Sequence, residues 1–491
     1  MKKFLLENKK DIINNLIALL IGLATLCIGA VIYYTNNYVS ALFIVLLSIG
    51  TYFYTQFFVV NKNWLDVTAC FSLVWAFTIG FSALRLLDYQ KEWETLTWVA
   101  LILAYFVFYV GSYLGKTLVK AKIEKIENKK ISVKGYTLKR QDGRLFWICF
   151  AVTVFAIICF ALNVYIRRFI PFFSDSVTAY LDFYTPFYIF ITAGSMISGL
   201  CYYVLIKQWQ KLSVWKKVFL IFSIVYSTFF IPTIVVSRGM LLTSALSLTC
   251  VMFYLHKRKF VVVALSLIVI AGFYAVGTVG RGYSDAQLDE IFEPSEIEKP
   301  SDEEGESGEV VFRISGKLAF VYSYFTVSHD NFNEAVLNNT EFTYGLRQIA
   351  PLFGVIKIGS INDKIENLPT YLVRDHLTTI NLVGDAYYDF GIVGVAVTTL
   401  IWAFVFGAIQ AWATKGDKPF GLLALGNTLS PVILCFFSKW MSLFSHWMHW
   451  GLILIMFLVA CITKEKKNEI SPDTESEKTL AVADTEEKEE L

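Results

Sequence analysis

Charge is what this sequence has least of. Only 17% of its 491 residues are Asp, Glu, Lys or Arg, against about 25% in soluble domains. With a 56% hydrophobic share and a mean hydropathy of +0.54, that scarcity excludes an ordinary soluble enzyme, a disordered chain and a fibre. Neither sign of charge dominates, since the formal net charge is +2, and global electrostatics offers nothing to nucleic acid. Paired cysteines are missing as well. All eight lie in apolar stretches and no two form a CxxC, which argues against a disulfide framework or a zinc ribbon and for small buried hydrophobes. A cleaved leader is not expected, because the first apolar run is long, lacks an A-x-A-like site and meets a second run almost at once. No solenoid-type repeat is visible.

What the chain does have is apolar runs of bilayer length, about 20 residues each. About twelve are expected, at 14–34, 38–60, 66–86, 94–114, 145–165, 186–206, 218–236, 239–255, 260–279, 390–412, 420–437 and 447–463. The expected fold class is therefore an all-α polytopic membrane protein with about twelve transmembrane helices and one large extracellular loop. Lysine sets the orientation. Lys2, Lys3, Lys9 and Lys10, the basic loop 116–144, the 207–217 turn and His256-Lys257-Arg258-Lys259 all fall on one side. That predicts a multi-pass membrane protein with both termini cytoplasmic.

The domains follow. Residues 1–279 carry spans one to nine, 280–389 form the extracellular loop, 390–463 carry spans ten to twelve, and 464–491 read as a disordered cytoplasmic tail. Within the loop, 285–309 is rich in acids, Gly, Ser and Pro and reads as a flexible linker. Residues 310–389 turn aromatic, with Phe312, Phe320, Tyr322 and Phe332, and are expected to fold back onto the membrane domain as short helices.

Arginine breaks the lysine pattern. Under this topology only Arg140, Arg144 and Arg258 are inside, while Arg85, Arg167, Arg168, Arg238, Arg281, Arg313, Arg347 and Arg374 are outside. Insertion bias treats the two residue types alike, so a second pressure acts on arginine. Its planar fork suits phosphate or carboxylate; pairing with loop acids or snorkelling to headgroups is the alternative. Ser237-Arg238-Gly239 and Gly280-Arg281-Gly282 sit at equal depth, where glycine permits close approach of an anion.

Histidine offers two sites. His446 and His449 share a helix face, but no third ligand stands nearby and the Trp440, Trp447, Trp450 belt suits an interface anchor; no metal is expected. His376, within Arg374-Asp375-His376, is a candidate proton acceptor for a hydroxyl. Next comes Gly384-Asp385-Ala386-Tyr387-Tyr388-Asp389-Phe390-Gly391-Ile392-Val393-Gly394. If this turn is helical, Asp385 and Asp389 share a face and brace arginines or meet sugar hydroxyls, unless Asp385 is only a helix cap.

The span count, the two Arg-Gly motifs, the long outer loop and the 384–394 run resemble the oligosaccharide repeat unit polymerases, the O-antigen polymerase-like (Wzy-type) proteins of bacterial capsule and exopolysaccharide loci. The likeness covers most of the chain by layout and about 230–400 by motif. It implies a GT-C-like membrane glycosyltransferase, without metal or other cofactor, that joins undecaprenyl-diphosphate-linked oligosaccharide repeat units at the outer face of the plasma membrane. A flippase and a chain-length regulator of the same pathway are the implied partners, besides membrane lipid. By motif match Arg238 and Arg281 carry the family's outer-face arginine role. Arg374 and Gly391 are one residue further apart than the Arg-x15-Gly pattern of some members, so Arg347 and Arg374 follow from charge and position only. His376 and Asp385 are the catalytic candidates; Arg238, Arg281, Arg347, Arg374 and Asp389 are the substrate-binding ones. Two rivals remain: a flippase or exporter of lipid-linked oligosaccharide, which would distribute charge through a central cavity, and an O-antigen ligase-like glycan transferase.

Overall fold

The computed structural model describes residues 9–126, 132–133, 136–138, 141–174, 182–268, 285–292, 294, 297–298, 310–350, 367–415 and 418–464. Helix dominates among them. The chain runs through α1 (Lys9–Tyr33), α2 (Asn37–Tyr54), α3 (Val67–Ser82), α4 (Thr95–Ile126), α5 (Asp142–Arg167), α6 (Pro186–Ser195), α7 (Ser198–Lys207), α8 (Val214–Val225) and α9 (Ile231–Ile234). Then come α10 (Arg238–Leu255), α11 (Lys259–Ile268), α12 (Asp285–Phe292), α13 (Gly316–Asn338), α14 (Gly384–Ala413), α15 (Pro419–Ile433) and α16 (Phe444–Cys461). Two short antiparallel pairings complete it: Tyr136–Leu138 lies between Ser132–Val133 and Ile462–Lys464, and Ile297–Glu298 pairs with Val310–Phe312.

Among the described residues eight helices are long and apolar enough to cross a membrane, so the protein is a polytopic helical membrane protein. They carry Leu20, Val31, Leu42, Phe155, Ile401 and Val459 on outward faces, as lipid requires. Four further expected spans coincide with shorter apolar helices, Val67–Ser82, Gly239–Leu255, Lys259–Ile268 and Pro419–Ile433. The 16 residues of α3 rise only about 24 Å at 1.5 Å per residue, less than the ~30 Å hydrocarbon core. α3 and α15 are buried along nearly their whole length. Their apolarity serves protein packing as much as lipid.

The tightest helix pair is α4 with α14. A Cβ on Gly115 would stand 2.0 Å from the Phe404 carbonyl oxygen, and one on Gly407 2.0 Å from that of Ser112. Gly111 and Gly115 form a small-xxx-small face that lets the two backbones touch. At the far end of this pair, Lys116 turns inward instead of joining a solvated basic loop. Its ammonium donates to both Asp66 oxygens and to Thr68 Oγ1, each at 2.7 Å. Gln410 Nε2 donates to Asp66 at 2.9 Å, and the Thr68 and Ala69 amides do so at 3.0 and 3.1 Å. Asp66 thus caps α3 and ties it to α4 and α14.

Two expectations for the large loop change. The acidic segment does not begin as a linker, because Asp285–Phe292 is helical and buries Leu288 and Phe292 against Leu87 and Phe320. Leu288, Ile291 and Phe292 fall at i, i+3 and i+4, an apolar stripe hidden among the acids. Residues 299–309 and the tail from 465 lie outside the described residues. The aromatic half opens with one long helix, the 23-residue α13, and residues 346–350 are helical again; residues 351–366 lie outside the described residues.

Candidate functional site

The Gly384–Gly394 run is the head of α14. Gly391 sits at φ +60° and breaks the helix just after Phe390, a backbone that only glycine adopts without strain. Ahead of that break, residues 384–389 form a separate buried turn carrying both carboxylates. Asp389 faces residues 343–348. Its oxygens accept the Arg347 and Gln348 amides at 3.1 Å each and the Thr343 hydroxyl. The Thr343 and Tyr344 amides donate to the Tyr388 and Asp389 carbonyls at 3.0 and 3.1 Å. Asp389 therefore caps the segment that presents Arg347.

Asp385 is different. It is 1% exposed, and among the described residues neither of its oxygens has a hydrogen-bond partner. It is not the helix cap that sequence left open. Arg347 Nη1 stands 3.7 Å from one oxygen and Lys439 Nζ 3.7 Å from the other, close enough for charge attraction and too long for a hydrogen bond. Arg347, 6% exposed, lies with Cζ 3.9 Å above the Tyr388 ring, and its Nη2 donates to the Pro369 carbonyl. Its Nε has no partner among the described residues. Lys439 closes the group from the α15–α16 connection with 43% of its side chain exposed. Buried polar groups are normally satisfied, and each one left unsatisfied costs about 1–3 kcal/mol.

A polar row on α13 supports this end of the bundle. Asn331 donates to the Leu377 and Thr379 carbonyls at 2.6 and 2.7 Å and accepts the Val373 amide at 2.8 Å. One asparagine thereby pins the 371–380 strap on both sides of Arg374-Asp375-His376. Asp330 accepts Gln90 Nε2 at 2.8 Å and Trp93 Nε1 at 2.9 Å, and burial pushes its carboxyl up to about 7. His329, on the same helix, is fully buried. Thr78 Oγ1 and Asn381 Nδ2 flank its ring nitrogens at 3.0 and 3.2 Å. Burial lowers its pKa to about 3, which holds the imidazole neutral.

Of the sequence-derived candidates, the structure brings together Arg347, Asp385 and Asp389. His376 is exposed on the strap, and among the described residues no hydrogen bond joins it to Asp375 or Asp385. Arg374 is half-buried beside it. Arg238 is the first residue of α10, after Ser237, whose hydroxyl accepts the Met240 amide; the Arg238 side chain and all of Gly280-Arg281-Gly282 lie outside what the structure describes. Two of the other arginines pair with acids, as the alternative reading held: Arg85 meets Glu92 at 3.8 Å and Arg313 meets Asp289 at 3.7 Å; Arg168 lies over the Tyr165 ring. Lys439 was missed, and its one signal was a lone charge in an aromatic run, Phe436-Phe437-Ser438-Lys439-Trp440. No family model matches the chain, and neither does any curated protein or solved structure.

Proposed function

We propose that the chain is a membrane glycosyltransferase that joins undecaprenyl-diphosphate-linked oligosaccharide repeat units. The supporting observation is the Arg347–Asp385–Lys439 group, in which a buried carboxylate between a buried guanidinium and a half-exposed ammonium accepts no hydrogen bond among the described residues. In this reading a sugar hydroxyl of the acceptor donates to Asp385. Its oxygen bonds to the anomeric carbon of the donor as the bond from that carbon to the diphosphate breaks. The hydroxyl proton passes to Asp385, and the departing diphosphate keeps the electron pair. Lys439 and Arg347 offset the charge that develops on it. Asp385 thus takes the proton-accepting role that sequence shared between it and His376.

The test uses purified protein in detergent with lipid-linked single repeats. Polymerisation gives a ladder of long glycans, and Asp385→Asn lowers turnover by about 10²-fold, the scale of general acid–base groups. Absence of any ladder from competent protein overturns the reading in favour of an exporter. Transfer of preformed long glycan to a different acceptor points to a ligase.

With this function we infer a GT-C-like arrangement with twelve crossings, cytoplasmic termini and residues 280–389 outside. A cysteine replacing Ser301 then reacts with an impermeant thiol reagent in intact cells. Labelling only after lysis reverses the orientation.

A further inference from the structure

The basic turn His256-Lys257-Arg258-Lys259 joins α10 to α11 at the end of the bundle away from Arg347 and Asp385. Tyr254, just before it, donates to Asn63 Oδ1 at 3.0 Å, which fixes the turn beside the Asp66 end. A cavity of about 540 Å³ opens there, with Tyr202, His256, Lys257 and Arg258 on its polar side and Met252 and Val261 among its apolar wall. The Tyr202 hydroxyl lies 2.6 Å from His256 Nε2. If the phenol donates, Nδ1 keeps the imidazole hydrogen and is the nitrogen left to donate elsewhere. Lys257 and Arg258 are exposed, and among the described residues neither has a carboxylate partner. Beyond the cavity, Leu265, Leu267 and Ile268 continue the apolar surface along α11, each more than half exposed.

A cationic mouth that runs into an exposed apolar helix face matches a ligand with an anionic head and a hydrocarbon tail. A free phosphate satisfies the first half only. In a chain so poor in charge, two cations with no carboxylate partner among the described residues and an imidazole concentrate positive and hydrogen-bonding groups on one cavity. We propose that this cavity holds the headgroup of an anionic phospholipid, its phosphate between Arg258, Lys257 and His256 and its acyl chains along α11. Arginine supplies the forked contact, and lysine and histidine supply charge and a directed hydrogen. Basic pockets between membrane helices take such headgroups on charge and hydrogen bonding together.

The experiment is native mass spectrometry of the full chain in detergent, titrated with phosphatidylglycerol, phosphatidylcholine or inorganic phosphate. One phosphatidylglycerol is expected to stay bound, at least about ten-fold more tightly than phosphatidylcholine, with no displacement by millimolar phosphate. At roughly five-fold per basic group, the double variant Lys257→Gln, Arg258→Gln weakens retention by about 25-fold. Arg258→Lys alone, which keeps the charge and loses the fork, weakens it only a few-fold. Unchanged retention in the double variant overturns the site, and equal binding of the two lipids overturns the headgroup assignment. Displacement by inorganic phosphate shows a small-anion pocket in place of a lipid site. The wild-type preference between lipids decides the matter even if the double variant does not fold.

Discussion

Two buried aspartates stand at opposite ends of the bundle, and they are built in opposite ways. Asp66 is saturated: one ammonium, one amide side chain and two backbone amides donate to it, all within 3.1 Å. Asp385 has two cations at 3.7 Å and accepts no hydrogen bond among the described residues. A saturated carboxylate has no remaining capacity and can only hold helices together. An unsaturated one has capacity for something else and gives up stability to keep it. The same residue type thus serves as a clamp at one end and as a candidate base at the other.

Exchanging each for its amide is the strongest way to break the comparison. Asp385→Asn should cost turnover about 10²-fold and lower the melting temperature less than Asp66→Asn does, since it removes the counter-charge of Arg347 but no hydrogen bond. Asp66→Asn strands Lys116 in a half-buried site and should cost about 3 kcal/mol, read as a lower melting temperature and a lower protein level. If both variants lose stability alike, Asp385 is a second clamp and the proposed site fails.

Arg347→Lys sharpens the same comparison on the cation side. Lysine keeps charge but loses the planar face stacked on Tyr388 and the donor to Pro369. Glycan synthesis should fall about 10-fold or more, on the scale of one lost stabilising donor, and normal rates would remove Arg347 from the site.

Asp330 predicts a pH effect of intermediate size. Its carboxyl, pushed up by burial to about 7, holds a proton in the folded protein that the unfolded chain releases near 4. Stability from this group is therefore full at low pH and is lost as pH rises through 7. His329, lowered to about 3, contributes the opposite slope below its unfolded value near 6.5, so the difference between wild type and Asp330→Asn isolates the carboxyl. Melting temperatures from pH 5 to 8 should converge or cross, with a relative shift on the order of 5 °C. Parallel curves would mean that Asp330 is ionised throughout.

The smallest effect is expected at His376. Exposed and joined by no hydrogen bond to Asp385 among the described residues, it should lose no more than a few-fold in activity as alanine. A loss as large as that of Asp385→Asn would return the proton-accepting role to histidine.

Lipid made the spans legible, because a bilayer dictates composition over about 20 residues at a time. The 384–394 run was legible because its glycines and acids are close together in sequence. Its inner logic was not, since nothing local reveals that Asp389 caps the Arg347 segment while Asp385 is left open. Lys439 stands 54 positions beyond Asp385 and Lys116 stands 50 beyond Asp66, and pairs at such separations leave no periodic trace. Asn331 was hidden for a different reason: its three hydrogen bonds go to backbone, which has no sequence signature. Counting acids concealed α12, where three apolar residues matter more than the charges between them.

The break at Gly391 has a mechanical consequence. Below it, α14 is seated on α4 through backbone contact at Gly407, so that part moves as one rod with its neighbour. Above it, the turn bearing Asp385 and Asp389 is joined to the rod through the non-helical pair Phe390 and Gly391 and is held by Thr343, Arg347 and Gln348. A helix jointed in this way is expected to take up tilting of its lower part at the break, which keeps the Asp385 turn registered to the loop that presents Arg347.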